Sequence, residues 1–220
     1  MSADEDLSSP RAPRRKRSRL VGGLLVLVVP SIVSVVVLLI TLGSLVMFAP
    51  VERPAAAADR KLLVDIHAVA AQIDDYIPDP ARETFLRREY FDRSFELDYT
   101  YAPAKADDLA MNSTLTVLAT AAEAEKLFRR RWGLDSISKT LSGGKDLRLI
   151  ERNSIFRWGD QSRLGLLVAG GKPLGNLFVA RRGATVFSLL VIGACFDSPE
   201  SFSSLVLPVL GKGKGPRAGG

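Results

Sequence analysis

The sequence predicts an α+β protein: a single N-terminal transmembrane helix followed by one antiparallel sheet covered by helices. Three observations predict it. The chain's 30 Lys and Arg and 24 Asp and Glu all avoid Leu20–Val51, an uncharged run of 32 residues. Phe95, Leu97, Tyr99 and Tyr101 alternate strictly with Glu96, Asp98 and Thr100, the period of a strand with one buried face. Beyond that strand, apolar runs separated by Gly-containing turns lie between two helix-capping motifs.

The spanning element takes Leu24–Phe48 as its core, 25 residues of which 18 are Leu, Ile, Val or Phe. At ~1.5 Å per residue such a helix is about 37 Å long, more than a ~30 Å hydrocarbon core requires, and tilt or a kink at Pro30 takes up the excess. Arg11, Arg14, Arg15, Lys16, Arg17 and Arg19 precede it, whereas only Arg53, Arg60 and Lys61 follow closely. Positive charge stays on the cytoplasmic side, so the N-terminus is expected inside and the remainder outside. A cleaved secretory signal is the competing reading, with small residues at Ala55–Ala58, but its apolar core would be only ~7–15 residues.

Element by element, the outer part begins with Pro50 and Pro54, which break the membrane helix. Leu62, Ile66, Val69 and Ile73 then recur at helical spacing, predicting an amphipathic helix from Ala56 to Tyr76 that Pro78 and Pro80 end. The strand Ser94–Tyr101 buries Leu97 and leaves Asp98 outward, so that Asp98→Asn is expected to be nearly silent. Thr114–Ala119 is a second strand. Thr120 and Glu123 form a capping box opening a helix to Trp132, closed by Gly133. Ser142-Gly143-Gly144 is a turn, followed by an apolar stretch at Leu147–Ile150. A meander of strands at Ser154–Trp158, Arg163–Ala169, Asn176–Ala180 and Thr185–Phe196 comes next, and Asp197 and Glu200 cap a closing helix.

The resulting organisation is a disordered basic cytoplasmic head at 1–19, a transmembrane helix at 20–49, and a linker with an amphipathic helix at 50–83. An extracytoplasmic α+β domain follows at 84–210, then a disordered tail at 211–220. The order from Leu115 to the terminal helix resembles the PsbP/Mog1-like α+β fold: a strand into a capped helix, a Gly-rich turn, several strands ending in Thr-Val-Phe-Ser-Leu-Leu-Val, and Asp-Ser-Pro-Glu before a short helix. The resemblance covers residues 85–210 and carries no diagnostic motif. It implies an accessory, assembly or partner-binding role and assigns no site residue.

The chemistry is read mainly from residue types that are scarce. One His and one Cys exclude a Cys/His zinc cluster and an internal disulfide. Cys195 reads as a small core residue in the last strand and His67 as a hydrogen-bonded boundary residue. Asp74, Asp75 and Asp79 lack a calcium-loop frame and read as a solvated turn. The Gly-Lys turns at Lys145 and Lys172 lack a phosphate-loop frame. Asn112-Ser113-Thr114 is a formal glycosylation sequon, and Trp132 and Trp158 read as packing residues. Half of the net charge of +6 belongs to residues 1–19, and Arg129, Arg130 and Arg131 read as a solvated helix end, so no nucleic-acid partner is expected.

No catalytic, cofactor-binding or metal-binding residue is therefore assigned, and no cofactor. The expected partners are the lipid bilayer and a membrane or envelope protein. The function expected is a single-pass membrane-anchored protein with an extracytoplasmic, non-catalytic interaction domain. The alternative is a cell-envelope hydrolase using carboxylates such as Glu96 or Asp98. A polar pocket with convergent carboxylates favours the enzyme, and a flat sheet or groove favours the binder.

Overall fold

The computed structural model describes residues 50–105, 108–133 and 146–211. Its strands are β1 (Val51–Pro54), β2 (Glu83–Glu89), β3 (Phe95–Tyr101), β4 (Ala110–Val117), β5 (Arg148–Glu151), β6 (Gln161–Ala169), β7 (Lys172–Arg182) and β8 (Thr185–Ile192). All pair antiparallel in one eight-stranded sheet of order β1-β2-β3-β4-β8-β7-β6-β5. Two four-stranded meanders thus meet where β4 pairs with β8. The helices are α1 (Ala57–Arg60), α2 (Ile66–Ala70), α3 (Ala121–Arg131) and α4 (Pro199–Leu210), with a 3-10 turn at Pro80–Arg82.

This corrects the predicted class. The described chain is mostly one antiparallel sheet with few, short helices, not an α+β sandwich whose sheet is covered by helices. The difference comes from strands that carry charge. β1, Val-Glu-Arg-Pro, lies where Pro50 and Pro54 predict a helix break, and β2, Glu-Thr-Phe-Leu-Arg-Arg-Glu, lies where no element is predicted. In the fold Arg87 points to the core side of β2, where its guanidinium lies 4.6 Å from the Phe95 ring and pairs with Asp59 at 2.8 Å. An arginine whose stem packs while its head is paired occupies an apolar strand position. The predicted membrane helix, head and tail, and the Ser142-Gly143-Gly144 turn, lie outside the described residues. Among the described residues no helix is long and apolar enough to cross a membrane.

The helix expected over 56–76 is also corrected: α1 and α2 are short and separated by Lys61–Asp65. Buried acceptors explain the break. The Val64 amide donates to Ser113 Oγ at 3.2 Å and the Ile66 amide to Tyr99 Oη at 3.0 Å. A continuous helix would have spent both N–H groups internally. Asp65 then caps α2 by accepting from the Ala68 amide at 3.0 Å. Leu63 and Val64, off the predicted stripe, are buried, while Leu62, on it, is 42% exposed. Burial pushes the Tyr99 phenol up, and burial with a 3.0 Å hydrogen bond to Tyr101 pushes Tyr76 up to about 12.

Two apolar layers sandwich the sheet. On one face Leu97, Tyr99, Tyr101, Phe178, Phe187 and Leu189 meet α2 and α4. The segment predicted as a strand at Ser154–Trp158 is instead a loop, because Phe156 tucks into this layer, 5.6 Å from the Phe178 ring and 5.5 Å from Phe202. On the other face Ala124, Leu127 and Phe128 of α3 pack on Leu167, Leu177, Val179 and Val186. Gly175 of β7 has no room for a side chain, since a Cβ there would lie 1.9 Å from the Val191 carbonyl oxygen. α4 starts one residue later than its motif suggests: Ser198, not Asp197, is the cap, accepting from the Ser201 amide at 3.1 Å with Pro199 in the first turn.

Candidate functional site

The second face of the sheet is closed by α3 over β7 and β8 but carries polar residues over β2, β3 and β4. Strand register alone produces this row. Glu52, Arg88, Glu96 and Thr116 are successive cross-strand neighbours on β1 to β4. One rung along lie Asp98, Thr114 and Ser188, and the next holds Thr100, Asn112 and Leu190. Because side chains two apart share a face, the outward set of β3 meets the outward sets of both its neighbours.

Two arginines organise the row. Arg131, from the last turn of α3, donates through Nη2 to Glu96 Oε2 at 2.6 Å and to Thr116 Oγ1 at 3.0 Å. Its Nη1 donates to Ser188 Oγ at 2.8 Å and to Thr114 Oγ1. From the other side Arg88 donates to Glu52 at 2.6 Å, to Glu96 Oε1 at 3.0 Å and to Asp98 Oδ2 at 3.1 Å. Asn112 Nδ2 completes the set with Asp98 Oδ1 at 2.8 Å. Burial works against the Arg131 charge and pushes its proton affinity down, while Glu96 and Asp98 hold it. The hydrogen bond to Glu52 heads the causes that raise Arg88.

Beside the network lies a cleft of about 480 Å³, within the roughly 300–1,000 Å³ of ligand sites. Glu96, Asp98, Asn112 and Arg131 line one wall, and Leu177, Leu190 and Ile192 line the apolar side. Every oxygen of the two carboxylates already accepts a hydrogen bond from the protein. Asn112 donates three bonds through Nδ2, but its Oδ1 takes none from the described residues. The wall therefore offers one spare amide acceptor next to an apolar surface, and the carboxylates are committed to holding arginines.

Glu96 and Asp98 do come together in the cleft, but Asp98 is not a bystander in solvent: its side chain is 19% exposed and within reach of Arg88. Asn112, the sequon residue, has its amide nitrogen inside the network. Arg129 and Arg130 are exposed as read, whereas Arg131 turns inward. The signal for Arg131 was its place four beyond Leu127 and three beyond Phe128, on the buried stripe of α3. Cys195 is exposed in the loop after β8, because β8 ends at Ile192 and Gly193 takes φ 88. His67 is exposed and 3.6 Å from Glu83. Asp79 caps the 3-10 turn, accepting from the Ala81 amide at 3.0 Å. Trp132 and Trp158 are half-buried beneath Arg163 and Arg182. Among the described residues no group of His, Cys, Asp and Glu is placed to hold a metal ion.

No family model, curated protein or solved structure matches the chain. The roles above therefore rest on geometry alone.

Proposed function

We propose that the chain is a membrane-anchored binding module, held by a transmembrane helix at 20–49, with its N-terminus cytoplasmic and residues from Pro50 onward outside. Its cleft takes a segment of another membrane or envelope protein. One observation carries this reading: every oxygen of both cleft carboxylates holds at least one protein donor, from Arg88, Arg131, Thr116 or Asn112. A general acid or base must exchange a proton with substrate within hydrogen-bond reach. A carboxylate whose oxygens all hold protein donors instead rigidifies its wall. An apolar side with one spare acceptor at Asn112 suits an extended segment that presents an apolar side chain and a backbone N–H.

The hydrolase reading keeps one observation of its own, since Glu96 and Asp98 share a cleft about 7 Å apart along one strand face. A photocrosslinking residue in place of Thr100, in the full chain in native membranes, separates the two. The binder reading expects one recurrent partner captured there and not from Arg130, on the exposed side of α3. Turnover of an esterase, phosphatase, glycosidase or peptidase substrate that Glu96→Gln abolishes would overturn it.

A further inference from the structure

Among the described residues, the charges of the cleft do not balance. Glu96, Asp98 and Arg131 are the charged groups that line it. Behind them Arg88 reaches Glu52 at 2.6 Å, Glu96 at 3.0 Å and Asp98 at 3.1 Å. The network therefore sets three carboxylates against two guanidiniums, a net charge of −1. The excess falls on Asp98. Glu96 is held by both arginines. Asp98 has Arg88 and otherwise neutral donors, the Asn112 amide at 2.8 Å and the Thr100 hydroxyl at 3.4 Å.

Strand register sets an apolar surface next to that charge. Thr100, Asn112, Leu190 and Leu177 are successive cross-strand neighbours on β3, β4, β8 and β7, and all four line the cleft. At ~4.8 Å per strand, this rung passes from hydroxyl and amide to two leucines in about 14 Å. Its polar end offers acceptors alone. Asn112 Nδ2 donates to Asp98, Tyr99 and Thr100, and the Thr100 hydroxyl donates to Asp98. Asn112 Oδ1 keeps both lone pairs and Thr100 Oγ1 keeps one.

We infer that the cleft selects a lysine in the bound segment, its stem laid along Leu177 and Leu190 and its ammonium at Asn112 Oδ1, Thr100 Oγ1 and the Asp98 charge. An apolar stem ending in a cation matches a rung that changes character in this way. Arginine fits less well, because its fork takes a carboxylate through both oxygens. The two oxygens of Asp98 already hold Asn112 and Arg88. A compact ammonium instead turns its donors toward separate acceptors, and the second lone pair of Asn112 Oδ1 takes the segment's backbone N–H. A neutral side chain would cover the negative wall and exclude water from it, a cost that the lysine charge offsets. The inference rests on the binding reading above and names the residue by which the partner is recognised.

Full-length chains carry a photocrosslinking residue in place of Ala102, at the exposed rim of the cleft, which leaves Thr100 and Asn112 intact. Native membranes are left untreated, acetylated or reductively methylated before illumination. Acetylation removes the charge of lysine and methylation keeps it. Among the described residues no lysine of the chain itself lines the cleft. Acetylation should lower capture of the partner about tenfold or more, the scale of a hydrogen bond to a charged group, and methylation should leave most of it. The captured peptide should contain a lysine at or beside the attached residue. Equal capture from acetylated and methylated membranes, or an attached peptide without lysine, would overturn the lysine and leave the binding module standing. Adducts of an aminophospholipid, or of a second copy of the chain, in place of a distinct protein would overturn the assignment to a partner's lysine. No capture from untreated membranes would overturn the binding reading and the lysine together.

Discussion

Asp98 shows how far a residue's role depends on neighbours that sequence distance hides. Alternation places it on the outer face of β3, and a carboxylate on an outer face reads as solvent. Its partners, Arg88 and Asn112, are 10 and 14 residues away, and only the register of β2 and β4 brings them together. Asp98→Asn should therefore lower stability by about 1.5–3 kcal/mol, the usual contribution of hydrogen bonds to charged groups, as read by urea unfolding of the full chain. A loss below about 0.5 kcal/mol, the range of ordinary surface changes, would mean that the network is solvated surface. Arg131 teaches the converse lesson. Three consecutive arginines are identical by type, yet helical phase sends one inward and two outward.

Among the elements, those whose signals are local were legible. The capping box of α3 is realised in both directions, Glu123 N to Thr120 Oγ1 at 3.2 Å and Thr120 N to Glu123 Oε2 at 3.1 Å. β3 buries Leu97, Tyr99 and Tyr101 as its alternation requires. The segment before β2 was not legible, because a stripe of four apolar residues at helical spacing is consistent with one helix or two. Buried hydroxyls on β3 and β4 decide between them by claiming the amides of Val64 and Ile66. Tyr99→Phe should leave the Ile66 amide unsatisfied and destabilise the chain by about 1–3 kcal/mol. Hydrogen exchange at Ile66 should accelerate more than exchange in the middle of β8. Uniform acceleration across the sheet would show that the hydroxyl does not specifically hold α2.

At the scale of the whole molecule, the compact unit begins at Pro50, not at the first strongly alternating strand. Leu63, Val64, Ile66 and Val69 are each at most 3% exposed, and burying such side chains contributes about 1.5–3 kcal/mol apiece. Their sum rivals the 5–15 kcal/mol of a whole domain. A fragment from Pro50 to Gly220 should unfold in one cooperative transition in urea, whereas one from Thr84 to Gly220 should show none. A cooperative transition in the shorter fragment would make residues 50–83 an appendage to the sheet. The uncharged run, the alternating strand and the helix caps were readable because each depends on residues within a few positions of one another. The join of β4 to β8, the addition of β1 and β2, and the ion-paired wall of the cleft pair residues tens of positions apart. A local pattern states which side of a strand is apolar, but which strand lies beside it is settled by burial and hydrogen bonding summed over the assembled sheet.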